Sequence, residues 1–336
     1  MKKVTIKDIA AEASLSIGAV SLILNDKPCR VSAENKAKVK AIAEKHNYTV
    51  NQAARSLVTN STKTLALIIP DIENLFFSSL SKIIEVRCRK AGYTLLIANS
   101  NDSFDDDAEL IKIMNSRGID GLYMIMSNEA YLHKEKAKEM LDKMLVPYVL
   151  VDRVFDEIDC DQVCFDNELG AYLAVSHLIE CGHKHIGCIA NSNSNNGKQR
   201  LQGYKKALSE HGLSINDEYV VEGNYRFNGG YEAAKQLSKS NASAIFSCND
   251  MMALGFMKYV YEQGLKIPDD YSLISYDNQL YIFNLGVALS AIDQDVEELG
   301  NVACDLLLRR IAHPIDQKEN IVLKPKLILK DSVKVK

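Results

Sequence analysis

The chain has 336 residues, 47% of them hydrophobic, with 40 Lys and Arg against 44 Asp and Glu for a formal net charge of −4. That length predicts two or three domains of ordinary size, each able to bury a core. No run approaches the roughly eighteen apolar residues that span a bilayer, and the start, Met1-Lys2-Lys3-Val4-Thr5-Ile6-Lys7-Asp8, lacks the apolar core of a secretory signal. A cytoplasmic protein with no membrane partner is expected.

In chain order, the first segment is set apart by charge. Residues 1–60 carry ten Lys and Arg against five Asp and Glu, leaving 30 against 39 for the remainder. A small anion-binding module joined to a body that does not bind nucleic acid fits this asymmetry. Ile6, Ile9, Ala10 and Ala13 recur at helical spacing, with Thr5 and Asp8 forming a capping box at the start. Ser14-Leu15-Ser16 breaks the pattern. Ser16 then caps a second helix that buries Val20, Ile23 and Leu24 and stops at Asn25-Asp26-Lys27-Pro28. A third helix follows the Ser32 cap, with Val39, Ile42 and Ala43 inward. Any small bundle could show three such helices, so the outward face of the second decides. It carries Ser16, Ile17, Gly18, Ser21, Leu22 and Asn25, mostly small or polar, and can lie close against a duplex groove.

Thr5-Ile6-Lys7-Asp8-Ile9-Ala10, Val20-Ser21, Leu24-Asn25, Val31-Ser32, Asn47-Tyr48 and Asn51-Gln52-Ala53-Ala54-Arg55-Ser56-Leu57 follow one another at spacings that resemble the headpiece and hinge of the LacI/GalR family. The resemblance implies phosphate contacts at Thr5, Ser16, Ser21 and Asn25 and base-edge contacts at Ile17, Gly18 and Leu22. It also carries DNA contact onto the hinge residues Asn51, Arg55 and Leu57, with Leu57 as an apolar wedge in the minor groove. The reading face departs from the family, where an arginine is usual at the position of Leu22, a threonine at Ala19 and often a glycine at Ser14. Without a bidentate arginine, Ile17, Gly18 and Leu22 offer only apolar contact, so shape and backbone contacts should weigh more in operator choice.

The segment 51–57 is too short to be stable as an isolated helix. Read as a hinge, it would order only when two copies pair on DNA; read blandly, it is a plain linker. From Thr64 the chain alternates between strand-like runs and helical segments such as Phe77 to Ala91. The runs are Leu65–Ile69, Thr94–Ala98, Gly121–Met126 and Tyr148–Val151, then His185–Ala190, Ala244–Cys248 and Ser272–Tyr276. Two doubly wound α/β lobes follow. The likeness continues through Pro70-Asp71, Asp152-Arg153, Gly170-Ala171, Gly182-His183, Gly229-Gly230-Tyr231 and Asn249-Asp250. Departures are Leu75, where proline is usual, and Ala288-Leu289-Ser290-Ala291-Ile292, where a strand of different sequence normally marks a lobe crossing.

The fold so implied is an all-α helix-turn-helix headpiece (1–50), a hinge (51–63) and a two-lobed, periplasmic-binding-protein-like body (64–336). Its N-lobe would comprise about 64–162 and 292–322, its C-lobe about 163–291 and 323–336. Ligands in such sheets bind beyond the carboxyl ends of the strands, where Asp152, Asn249, Asp250 and Asp277 fall. The resemblance assigns effector contact to Asp152, Arg200, Tyr225, Asn249 and Asp277, and to Asn74 and Phe76. Acids with one arginine and a ring suit a sugar-like ligand. Plain alternatives are a turn at Asp269-Asp270, a helix cap at Asp250, packing at Tyr225 and an internal Asp152-Arg153 ion pair.

The eight cysteines (Cys29, Cys88, Cys160, Cys164, Cys181, Cys188, Cys248 and Cys304) include no C-x-x-C pair. Cys160/Cys164 and Cys181-Gly182-His183-Lys184-His185 fit none of the common zinc spacings, so free thiols and no metal or cofactor are expected. The expected function is a repressor-like transcription regulator: a homodimer on a double-stranded DNA operator, controlled by a small sugar-like effector. The alternatives are a cytoplasmic sugar-binding protein with a degenerate headpiece and a carbohydrate-acting enzyme. No nucleophile elbow, Walker loop, H-E-x-x-H or kinase signature supports the enzyme.

Overall fold

The computed structural model describes residues 4–49 and 61–336, divided between a unit within Met1–Thr62 and a unit spanning Lys63–Lys336. The hinge residues Asn51, Arg55 and Leu57 lie outside the described residues.

In the first unit, α1 (Ile6–Ala13) opens with the expected capping box, Thr5 donating through N and Oγ1 to Asp8 Oδ2 at 2.8 and 2.7 Å. Ser14 ends it in the left-handed region, at a φ of 58°. Helix α2 (Ile17–Leu24) starts where Ser16 Oγ accepts from Ala19 N, and α3 (Ala33–Lys45) where Ser32 Oγ accepts from Asn35 N. Ile9, Ala10, Ala13, Val20, Ile23, Val39 and Ile42 make the core. Leu24, expected inside, is only partly buried, because its place at the end of α2 puts it on the rim of this small core.

In the second unit, one sheet runs in the order β11 (Asn320–Leu323), β5 (Asp161–Phe165), β4 (Tyr148–Val151), β3 (Gly121–Met124), β1 (Thr64–Ile69), β2 (Thr94–Asn99), all parallel. Alternation along β1 sends Leu65, Leu67 and Ile69 to one face, against α4 (Leu75–Lys90) and α11 (Val296–Ala312). Ala66 and Ile68 face α5 (Phe104–Ser116) and α6 (Lys134–Asp142) on the other. Burial on both faces is why these strands read as continuous apolar runs.

The other sheet has the order β12 (Lys326–Ile328), β10 (Ser290–Asp293), β9 (Ser272–Asp277), β8 (Ala244–Ser247), β6 (Ile186–Ala190), β7 (Val220–Glu222), parallel except for β12 against β10. Its helices are α7 (Asn167–Glu180), α8 (Asn195–Glu210), α9 (Phe227–Leu237) and α10 (Asp250–Glu262). The chain passes between lobes after β5, after β10 and after β11. Each crossing lies slightly later than the boundaries expected at 162, 292 and 322, because β5 continues to Phe165, β10 to Asp293 and β11 to Leu323 before leaving its sheet. The altered segment before Gln294 still forms a strand, β10. No helix among the described residues is long and apolar enough to cross a membrane.

Candidate functional site: a closed polar cavity and a helical reading face

Three strands end in residues whose backbone is turned into the left-handed region: Asp152 just after β4 (φ 63°), Tyr225 after β7 (φ 61°) and Asp277 at the end of β9 (φ 95°). Aspartate tolerates this conformation; tyrosine does not, at a cost of order 1–3 kcal/mol. All three side chains border one cavity between the two lobes. The seven residues assigned by resemblance, Asn74, Phe76, Asp152, Arg200, Tyr225, Asn249 and Asp277, all line it, together with Phe77, Arg153, Asn196 and Gln294. Its volume is about 20 Å³, room for about one water. A larger ligand therefore requires these side chains or the lobes to move apart.

Arg200 lies one turn inside α8 and is 4% exposed. Its Nε donates to Asn167 Oδ1 at 2.8 Å and its Nη1 to the Cys248 carbonyl. The guanidinium lies 3.7 Å from the Tyr276 ring centroid and 5.9 Å from that of Tyr225. Tyr276 can occupy that place because residue 170 is glycine: a Cβ there would lie 2.2 Å from the Tyr276 hydroxyl. Asp277 Oδ1 is 3.7 Å from Arg200 Nη1 and accepts from Gln294 Nε2 at 2.8 Å. Burial raises the Asp277 carboxyl to about 8; Arg200 opposes this, while Asp250 and Asp152 add to it. Arg200 loses that contest because two of its donors are directed elsewhere. Burial also raises Asp152, against Arg153 and Arg200; its Oδ2 accepts from Asn196 Nδ2 at 3.3 Å and, among the described residues, its buried Oδ1 has no partner. Gln294 Oε1 is likewise buried and unpartnered. Oxygens of this kind are acceptors for a ligand's hydroxyls.

Several residues have structural duties of their own. The Asp152-Arg153 ion pair is replaced by one between Arg153 Nη1 and Asp102 Oδ1 at 2.6 Å, with Met126 O also accepting from Nη1 at 2.9 Å. Asn74 and Asn249 cap α4 and α10, and Asn249 Nδ2 donates to Tyr225 O, holding that strained residue in place. Asp250 points away from the cavity: it accepts from Ser275 Oγ and from the Gln279 and Leu280 amides, and burial raises its pKa to about 6. Asp269-Asp270 forms a turn, with Asp270 accepting from Lys266 N. Sequence reasoning missed Asn196 as a lining residue, although its place just after the Ser194 cap beyond β6 was a usable signal. Gln294 was missed as well, although it follows directly on the strand expected to mark a lobe crossing.

On the reading face, Ile17 and Leu22 are exposed, and nothing lies within 4 Å of where a Gly18 side chain would begin. Thr5 and Ser16 act as caps, and Asn25 Nδ2 donates to Ser21 O at 2.7 Å. Cys160 and Cys164 are buried thiols raised to about 12 by burial. The two neighbouring histidines are engaged separately: His183 with Ser243 Oγ and the Lys334 carbonyl, His185 with Tyr219. Among the described residues no three His, Cys, Asp or Glu side chains converge on a metal position.

A helix-turn-helix unit joined to a two-lobed body with a buried polar cavity defines a class: DNA-binding regulators controlled by a small molecule. Residues 5–51 match the model of the bacterial regulatory proteins of the lacI family, and residues 175–333 that of the periplasmic binding protein-like domain. The chain is 32% identical over 334 residues to the HTH-type transcriptional repressor PurR of Vibrio campbellii, covering 98% of both chains. It is 33% identical over 332 residues to the ribose operon repressor of Haemophilus influenzae, again covering 98% of both. A LacI family transcriptional regulator from Enterococcus faecium, solved with bound ribose, is 30% identical at a TM-score of 0.73 over 81% of this chain and 99% of that one. The chain belongs to the LacI family of bacterial regulatory proteins, and it is a DNA-binding transcription regulator under small-molecule control.

Proposed function

We propose that the protein is a cytoplasmic homodimeric repressor that binds a two-fold symmetric operator and takes a small neutral sugar between its lobes. The observation that carries this reading is the convergence of Asp152, Arg200, Tyr225, Asn249 and Asp277 with Asn74 and Phe76 on one buried polar cavity. Phe76, Phe77 and Tyr225 supply apolar faces for a sugar ring, while Asp152, Asn196 and Gln294 supply directional acceptors and donors. Arg153 is neutralised by Asp102, and Arg200 already spends Nε and Nη1 on the Asn167 side chain and the Cys248 carbonyl, so few cationic donors remain free for a phosphosugar. Named relatives point the same way: a ribose operon repressor and a regulator solved with ribose. In the body, the exposed Tyr281, Ile282 and Phe283 support a second copy as partner. Thr5, Ser16, Ser21 and Asn25 would contact phosphates; Ile17, Gly18 and Leu22 would face base edges; Asn51 and Arg55 would contact DNA from the hinge, and Leu57 would enter the minor groove.

A thermal-shift screen of neutral pentoses and hexoses, their phosphates and nucleosides tests the ligand class. A ligand present at 100 times its Kd stabilises the folded body by about 2.7 kcal/mol. The expected result is a shift with a neutral sugar and none with its phosphate; a shift confined to phosphates or nucleosides overturns the sugar reading.

A further inference from the structure

Helix α2 has no charged residue, and its outward side chains Ile17, Gly18 and Leu22 have no group that can donate two hydrogen bonds to a base. A cation nevertheless borders the same surface. Arg30, in the non-helical segment between α2 and α3, lines an open hollow of about 740 Å³ together with Ser16, Gly18, Ala19 and Leu22. It is exposed and makes no hydrogen bond, ion pair or ring contact among the described residues. On α3, Lys40 and Lys45 are committed, to Asp26 at 2.7 Å and to Glu12 at 2.8 Å. Around Arg30 the hollow's other walls, Pro28, Cys29 and Val31, have no side-chain acceptor that would compete for its guanidinium.

We infer that Arg30 is the base-reading residue of this headpiece, entering the major groove beside Gly18 and Leu22 to make a bidentate contact with a guanine in each half-site. The inference rests on the family's DNA binding and adds a specificity determinant outside the helix. Arginine is the side chain whose planar fork matches guanine O6 and N7. The bare backbone at Gly18 gives the duplex a close approach. A guanidinium already paired within the protein would have to break that pair to reach a base; among the described residues Arg30 has none to break.

The test is selection of binding sites from random duplex DNA by the full-length protein and by Arg30→Gln and Arg30→Lys, with affinities then measured on selected and scrambled duplexes over a range of salt. The wild-type protein is expected to select a guanine at symmetric positions. Arg30→Gln should lose about 5- to 150-fold discrimination at that base pair per half-site, with other positions of the consensus unchanged. Arg30→Lys should restore overall affinity without restoring the full guanine preference. Replacing that guanine with 7-deazaguanine should weaken wild-type binding and leave Arg30→Gln unaffected. A uniform loss on all sequences, with a reduced salt slope, identifies a phosphate contact and overturns the inference. An unchanged consensus in Arg30→Gln overturns it while leaving DNA binding intact. If the wild-type protein selects no consensus, the family-level DNA reading fails as well.

Discussion

Asp277 ends β9 at a φ of 95°, 4% exposed, beside a guanidinium whose Nε and Nη1 donate to Asn167 and Cys248. Burial holds its carboxyl protonated in the fold up to about pH 8, whereas an unfolded aspartate ionises near ~3.9. Between these values the folded chain binds a proton that the unfolded chain lacks. The stabilisation is therefore complete below about pH 4 and is lost as pH rises through about 8. Asp250 and Asp107 act with the same sign up to about pH 6, the buried Asp152 is raised in the same direction, and the depressed His183 acts oppositely below its ordinary value. The share of Asp277 is therefore read in the window above neutrality as the difference between the wild-type chain and a variant without its carboxyl. We expect the melting temperature to fall by roughly a few °C across that window and Asp277→Asn to flatten the fall. An unchanged slope in the variant means the carboxyl is already ionised. Asp277→Ala should also abolish the effector's influence on DNA binding while leaving effector-free binding nearly intact, as read by titration of operator with and without sugar; a normal response in that variant removes Asp277 from the site.

Helices α9 and α10 meet backbone to backbone. A Cβ at Gly255 would lie 2.0 Å from the Phe227 carbonyl oxygen, and neither partner is the movable end of a side chain. Gly255→Ala must push the helices apart, and overpacking of this kind costs about 1–3 kcal/mol. Urea unfolding should show that loss. An unaltered midpoint would mean that α9 can slide at no cost. Element by element, legibility followed burial pattern. The headpiece helices declared themselves through caps and apolar stripes, and β1, β3, β4, β8 and β9 through apolar runs. β5 did not, because Asp161-Gln162-Val163-Cys164-Phe165 puts an acid and an amide into a fully buried strand. Asp161 is neutralised by Arg310 at 2.7 Å and by Arg309, and Gln162 is satisfied by Phe155 and Ile158. The arginines come from α11, far along the chain, so local pattern could not show that these polar groups are affordable inside.

For the molecule as a whole, an effector that bridges Asp152 and Phe76 on one lobe to Arg200, Tyr225 and Asp277 on the other binds a closed body with more contacts than an open one. If closure is coupled to operator binding, linkage requires reciprocity. Effector should shift operator affinity, and operator effector affinity, by one common factor, about 5- to 150-fold. Titrations in both orders measure it, and unequal factors would falsify a simple two-state coupling. The ingredients of this behaviour were present in the sequence alone: a helix-turn-helix with its caps, alternating βα units, and polar residues at strand ends, where backbone rules require a cleft. Those features are local, set by hydrogen-bonding caps and by side-chain periodicity, and so can be read residue by residue. Tertiary structure decided the rest. It turned Arg153 towards Asp102 and away from Asp152, seated Tyr276 against Gly170 beneath Arg200, and brought Asn196 and Gln294 to the cavity. It also left Asp277 uncharged against a nearby arginine. Each of these depends on which distant group reaches a buried atom first and how much water is excluded there, and that competition exists only once the lobes have packed.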